Sequence, residues 1–426
     1  MSREMKDSGI SWIGEIPSDW RIGHLKRLAR IKTGSTPSRS VEEYYSEKSG
    51  LPWIKPENLN SYDSVENTAE YLTAEGRVAG TVFPQNTVFA CCIASIGKIG
   101  YSNIEASCNQ QINGLIYNDL INWKYGFYSN VAANNEYLAR ANSSVQFILN
   151  STNQGYIQMP IPSIAEQEII STFLDSKCAA IDQVIQKQKD IVNKLMEYKQ
   201  STITQAVTKG LNPNVKMKDS EIDWIRRIPE SWDIIPLKVL FKENKKRNTD
   251  LTNSNLLSLS YGRIIQKNID SNFGLLPDNF SKYTIVNDGD IVLRLTDLQN
   301  DHKSLRTGLV TQSGIITSAY VTLTPKKKLC SRYFHYLLHS YDIQKVFYTM
   351  GEGIRQSLSY DELSRNIRLI MPSFKEQQSI ANYLDSKCLA IDESIKRSNK
   401  IIQKLEEYKK ALIYNAVTGK IDCRNA

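Results

Sequence analysis

"LDSKCAAID" at residues 174–182 returns as "LDSKCLAID" at 384–392, and the likeness extends far on both sides. The 47 residues from 162, "PSIAEQEIISTFLDSKCAAIDQVIQKQKDIVNKLMEYKQSTITQAVT", match those from 372, "PSFKEQQSIANYLDSKCLAIDESIKRSNKIIQKLEEYKKALIYNAVT", at 24 positions. A second block repeats as well: "MKDSGISWIGEIPSDWRIGHLKRL" (5–28) and "MKDSEIDWIRRIPESWDIIPLKVL" (217–240) share 14 of 24 residues. The chain is two copies of one unit of about 210 residues, joined at "KGLNPNVKMKD". Between the blocks, residues 29 to about 155 share little identity with 241 to about 365. Each unit is therefore a divergent body followed by a repeated segment, which suggests one geometric task done twice and one recognition task done differently.

The repeated segment reads as a long helix. Ser163-x-x-Glu166 and Ser373-x-x-Glu376, each just after a proline, fit the capping box that satisfies the first free amides. Apolar residues recur near a 3.5-residue period at Leu174, Ile181, Ile185, Val192, Leu195 and Tyr198, and again at Leu384, Ile391, Ile395, Ile402, Leu405 and Tyr408. Gly210 and Gly419 supply the left-handed residue that closes a helix. Such a helix of about 44 residues is about 60 Å long and must bury its stripe. The simplest partner for each is the other, an antiparallel coiled coil with those residues, the tyrosines aside, as its seam. Cys178 and Cys388 then read as packed apolar residues rather than reactive thiols.

The expected fold class is α+β: two mixed α/β bodies separated by two long helices, an internal duplication with pseudo-two-fold symmetry. The expected spans are 1–158 and 211–368 for the bodies with their openings, and 159–210 and 369–426 for the helices and tail.

Charge separates the bodies. Residues 30–158 carry 9 Lys+Arg against 11 Asp+Glu, whereas 241–360 carry 16 against 10. By charge, residues 241–360 suit a nucleic-acid binder, whereas 30–158 would need a local patch. In the more basic body, strand-like "DIVLRLT" (290–296) and "GIITSAYVTLTP" (314–325) precede a helical "YFHYLLHSYDIQKVFYTM". Its candidate DNA contacts are Lys245, Lys246, Arg247, Arg263, Lys267, Arg294, Gln299, Asn300, Lys303, Arg306, Arg355 and Gln356. Arg, Asn and Gln match the paired donors and acceptors of base edges, while Lys neutralises phosphate. In the first body, "KTGSTPSR" (32–39), "WIKPENLN" (53–60), "SIGKIG" (95–100) and "CNQQING" (108–114) nominate Lys32, Thr33, Ser35, Thr36, Arg39, Lys55 and Lys98. "TGSTP" reads equally as a plain turn, and "CNQQING" as a strand start with internally bonded amides.

Several chemistries find no support. Seven cysteines without C-x-x-C or a Cys/His cluster fit a reduced compartment and no structural metal. His335 and His339 stand four apart, but Tyr336 takes the place of a zinc-protease glutamate. "MGEGIRQ" is no dinucleotide loop, "SIGKIG" is no ATP loop, and the Asn/Asp-Pro-Pro-aromatic motif of amino-methyltransferases does not occur. The charged start "MSREMKDSGI" and the lack of any long apolar run point to the cytoplasm. No catalytic role is expected of the chain.

The duplicated plan, the "P-S-x-x-E-Q" helix start, the "LDSKCxAID" and "KLxEYKxxxIxxAVT" blocks and the "W-I-G-E-I-P-x-x-W" opening resemble the specificity subunit of type I restriction-modification systems. That resemblance implies two target recognition domains, each reading half of a bipartite, asymmetric DNA sequence, with the repeated helices as a ruler. It also implies two methyltransferase subunits docked on the helices and two ATP-driven restriction subunits, with S-adenosylmethionine, ATP and Mg on those partners and no cofactor in this chain. Two alternatives stay open: a specificity subunit whose partner fuses methyltransferase and nuclease, and a coiled-coil protein-binding scaffold without DNA specificity.

Overall fold

A computed structural model describes residues 3–59, 62–143, 147–267, 280–298, 305–350 and 357–425. They form two compact units, Met1–Lys189 with Asn399–Ala426, and Asp190–Ser398. The division falls inside both long helices, Ile164–Lys209 and Phe374–Val417, so each unit holds one half of each.

Both helices start and stop where the sequence signals place them. Glu376 accepts from the backbone amide and hydroxyl of Ser373 (3.2 and 2.7 Å) while its own amide donates to the Ser373 Oγ, a complete capping box. In the first copy only half of the box forms. The Glu166 amide donates to Ser163 Oγ at 3.3 Å, but the Glu166 carboxylate is turned to the guanidinium of Arg3, for which the second copy has no equivalent. At the far ends, Gly210 and Gly419 adopt φ of +75° and +73°, the left-handed geometry that L side chains avoid.

In the first unit, a four-stranded antiparallel sheet runs in the order Ile99–Ser102, Thr87–Cys91, Ile112–Tyr117, Ala29–Thr33. In the second, Thr307–Leu309, Ile291–Leu293, Val321–Pro325 and Phe241–Glu243 repeat that order. The opening hairpins match too, Met5–Asp7 with Glu15–Pro17 and Met217–Asp219 with Arg227–Pro229. So do the strand pairs leading into the long helices, Arg21–His24 with Gln158–Ile161 and Asp233–Pro236 with Arg368–Met371. Divergence lies in what is added. The first unit carries a five-stranded mixed sheet, whose parallel pair joins Leu51–Ile54 to Ala106–Cys108. The second carries two two-stranded ladders, Leu257–Ser260 with Arg263–Gln266 and Thr284–Val286 with Gly314–Ile316.

The helix stripe is buried in two ways at once. In the first unit Leu174, Cys178, Ile181 and Ile185 share one apolar cluster with Leu412, Ile413, Ala416 and Val417 of the other helix and with Tyr125, Phe127 and Tyr128 of the body. The second unit repeats this with Leu384 and Cys388 against Ile203, Ala206 and Val207 and against Tyr333, Phe334 and Leu337. Ile391 is buried, while Val192, Leu195, Ile395, Ile402 and Leu405 are half-buried. Tyr198 and Tyr408, read from the sequence as the next steps of the stripe, are 54% and 58% exposed. A straight helix drifts about 20° per heptad from a 3.5 repeat, and by these positions the stripe has rotated out. Burial pushes the Cys178 thiol up to about 11, in keeping with a packed core residue.

Candidate nucleic-acid interface

Each body is fastened to the helices by the same polar joint. In the first unit the Tyr125 hydroxyl donates toward the carbonyls of Pro160 and Val417, both at 3.1 Å. In the second, Tyr333 reaches Val207 and Ile370 at 3.2 and 3.3 Å. Trp20 and Trp232, both buried, donate their indole N–H to Glu166 and Glu376. Gln167 and Gln377, fully buried, donate to the carbonyls of Pro162 and Pro372 and accept the amides of Asn122 and Cys330. Tyr128 and Tyr336 donate to Asp175 and Asp385, at 2.6 and 2.8 Å, and burial followed by those carboxylates raises both phenols. Further along the helices, Asp182 pairs with Lys409 at 2.5 Å and Asp392 with Lys199 at 2.6 Å. Of these, the Pro162 and Pro372 carbonyls stand just before the helix starts and the Val207 and Val417 carbonyls in the last turns, where backbone groups lack helical partners.

The first body's candidates fall into two groups. Gly34 is tied by its amide to Ile112 and Ser35 to Cys108, so "TGSTP" lies against "CNQQING". A Cβ at Gly34 would run into the carbonyls of Cys108 and Asn109, which explains the glycine. Thr36 donates to Gln110, uniting the two motifs. Arg39 lies over the rings of Tyr45 and Trp53, 4.1 and 4.6 Å from their centroids, and pairs with Glu70 at 2.8 Å. Lys55 joins the same carboxylate, and the Arg39 and Lys55 hydrogen bonds together hold Glu70 down to about 2. This cluster keeps one net positive charge, and Lys32 and Thr33, on the strand before Gly34, are exposed. Ser35 is half-buried behind it, its carbonyl accepting from Trp53. Lys98 stands apart, lining a cavity of about 1190 Å³ with Tyr62, Asp182 and Lys409.

In the second body Lys246, Arg247 and Lys267 are exposed, and Lys245 is exposed with Glu243 at 2.8 Å. Arg247 donates to the Lys282 carbonyl and to Thr284 Oγ1, which fixes its stem while its remaining donors stay at the surface. It lines a shallow cavity of about 340 Å³ with Lys282, Thr249, Ser281 and Ser318. Two cations among three hydroxyls suit a phosphate. Sequence reading missed Lys282 and the hydroxyls because they come from three separate loops.

Two candidates change role. Arg306 is fully buried, its guanidinium donating to the carbonyls of Arg294, Thr296 and Asp297 and to the Tyr348 hydroxyl, so it braces a loop and reaches no base. Arg263 is exposed yet pairs with Asp392 of the second long helix at 2.8 Å. Arg294 is half-buried. Gln299, Asn300, Lys303, Arg355 and Gln356 lie outside the described residues. His335 and His339 are stacked with centroids 6.2 Å apart, and burial lowers them to about 4 and about 3, so both are neutral imidazoles near neutral pH. Among the described residues no group of three His, Cys, Asp or Glu side chains could hold a metal. Nor, among them, is any helix long and apolar enough to cross a membrane.

Residues 17–203 match the type I restriction modification DNA specificity domain. The type I restriction enzyme MjaVIII specificity subunit of Methanocaldococcus jannaschii is 25% identical over 441 residues, 96% of this chain and 95% of its own length. Over nearly its whole length the chain is similar to type I specificity subunits. The MjaIX specificity subunit of the same organism is 28% identical over 194 residues, so that match spans 43% of each chain, about one repeat unit. A chain from a solved structure concerning complex assembly and conformational transition of the type I R-M system superposes with a TM-score of 0.68, covering 95% of this chain and 99% of its own length. At 13% identity that likeness is one of fold.

Proposed function

We propose that this chain is a type I specificity subunit that binds a bipartite, asymmetric DNA sequence and directs partner methyltransferase and restriction subunits to it. Residues 1–158 and 211–368 act as target recognition domains, one half-site each, and the helical segments 159–210 and 369–426 set the spacer. Two methyltransferase and two restriction subunits complete the assembly in the cytoplasm, and transfer and cleavage belong to those partners. One observation carries the reading: two bodies with different added strands and different charge are fastened to the long helices by the same joint. A duplicated anchorage with unlike faces serves a task in which two different short sequences are read at one fixed separation.

Half-sites read alone discriminate weakly, at about 1–3 kcal/mol per good bidentate contact. Linking them gives the second half a high effective concentration. The patch of Lys32, Thr36, Arg39 and Lys55 and the cavity of Arg247 and Lys282 are the proposed contacts; Arg39 stacks on two rings, so only part of its fork is free for a base or phosphate. The test is the methylome of a restriction-free host expressing this chain with its companion methyltransferase. A two-part methylated motif with a fixed gap supports the proposal, and a stable complex that methylates no motif refutes it. Removing one helical turn from both long helices is expected to alter the gap and leave the half-sites; an unchanged gap would sink the ruler.

A further inference from the structure

The last residue of the repeated "LDSKCxAID" is the aspartate that each unit pairs with a lysine, Asp182 with Lys409 and Asp392 with Lys199. The repeat fixes this pair, but each body meets it differently. In the first unit the Tyr62 ring lies 3.7 Å from the Lys409 ammonium, and Tyr62 stands edge-on to the core residue Phe127. In the second, Asp392 divides its oxygens: Oδ1 accepts Lys199 at 2.6 Å and Oδ2 accepts Arg263 at 2.8 Å. Tyr62 and Arg263 belong to neither repeated block and stand in unrelated local structures, Arg263 on a strand and Tyr62 in a loop. Two divergent bodies have thus arrived separately at one feature of the helices.

The placement along the helix gives the contact leverage. The tryptophans act at Glu166 and Glu376 and Tyr128 and Tyr336 at Asp175 and Asp385, and the repeated aspartates come sixteen and seven residues after those, about 24 Å and about 10 Å at 1.5 Å per residue. A body held only through these first attachments can rock about them. A further attachment about 10 Å beyond the nearest of them converts rocking into a stretch of an ion pair or of a cation–π contact, both of which weaken with distance.

We propose that Tyr62 and Arg263 are positioning residues, each fastening its body to the shared Asp–Lys pair and thereby fixing the body's tilt and the spacer length that the subunit accepts. The inference rests on the bipartite reading above. It gives Arg263 a role within the fold, one guanidinium nitrogen being engaged by Asp392 while the side chain stays exposed.

The experiment compares methylomes of Arg263→Gln, Arg263→Lys, Tyr62→Leu and Tyr62→Phe with the unaltered chain, each co-expressed with the companion methyltransferase in a restriction-free host. Arg263→Gln and Tyr62→Leu are expected to keep both half-site sequences while methylation at gaps one base pair longer or shorter rises about two- to fivefold, the range set by contacts of this exposure. Arg263→Lys and Tyr62→Phe keep the charge and the ring and stay near the unaltered profile. The proposal is overturned if Arg263→Gln blurs a base within one half-site, if all four gap profiles coincide with the parent, or if the conservative variants lose methylation as fully as the others. An unaltered chain giving no two-part motif removes the bipartite reading itself and the positioning role with it, whereas a normal parental motif with unmoved variants removes the positioning role alone.

Discussion

Tyr125 and Tyr333 make the same pair of hydrogen bonds, to the strand before one long helix and to the end of the other, in bodies whose added sheets have nothing in common. Around them Trp20 and Trp232, Gln167 and Gln377, and Tyr128 and Tyr336 repeat their partners. Away from the joint the units part: a stacked Arg39 held by Glu70 in one, an open cavity of Arg247 and Lys282 in the other. The difference separates two selective pressures. A joint that must hold its geometry tolerates no drift in its buried donors and acceptors, because each loss strands a polar group. A face that meets a ligand is free to change whenever the ligand does.

The largest effect should come from breaking the joint. Tyr125→Ala and Tyr333→Ala each remove a fully buried aromatic ring and a hydroxyl that serves two carbonyls, and each is expected to cost about 3–5 kcal/mol of unfolding free energy. Urea titration of both variants checks this. If the joint is one device used twice, the two losses agree within about 1 kcal/mol; a loss confined to one variant would mean that the repeated geometry carries unequal weight.

Acid should then separate the units. Counting from the two tyrosines, His335 and His339 stand where the first unit has Phe127 and Val131. Burial, offset by Thr307 and Asp385, holds His335 to about 4; burial, His335 and Lys199 hold His339 to about 3. Both values lie below that of an unfolded histidine, about 6.5, so the unfolded chain binds more protons between them and stability falls as pH drops from about 6.5. The second unit is expected to lose about 2–4 kcal/mol between pH 7 and pH 5 that the double variant His335→Phe, His339→Val does not lose. Thermal melts of the parent and that variant across this range make the comparison, and parallel curves would contradict it.

A smaller effect tests the faces. Arg247→Ala is expected to weaken binding to all DNA sequences alike and to lower the slope of log affinity against log salt by about 1, as a phosphate contact requires. Fluorescence anisotropy at several salt concentrations, on complex assembled with the companion methyltransferase, reads it. A loss confined to one sequence would instead make Arg247 a base reader.

The helices and their ends were legible because their signals are local: a serine and glutamate three apart, a glycine after the last turn, an apolar period. The joint was not. Tyr125 and Tyr333 lie in the divergent bodies, and their partners are backbone carbonyls, which leave no mark in a side-chain pattern. Asp182 and Lys409 did leave one, since a charged residue kept in both copies at a half-buried position has a partner to keep. Arg306 misled for the opposite reason. In a polar loop an arginine resembles a reader of DNA, and only the fold shows that its donors close on four oxygens of its own chain. In the first body a low net charge hid the cluster of Arg39 and Lys55, because Glu70 neutralises one of those two cations.

The division of labour itself is tested most directly by replacing residues 241–360 with the corresponding body of another specificity subunit and determining the methylome of a restriction-free host that carries the chimera and the methyltransferase. The account predicts that one half-site changes while the other half-site and the gap persist. A change in both half-sites, or in the gap, would contradict it.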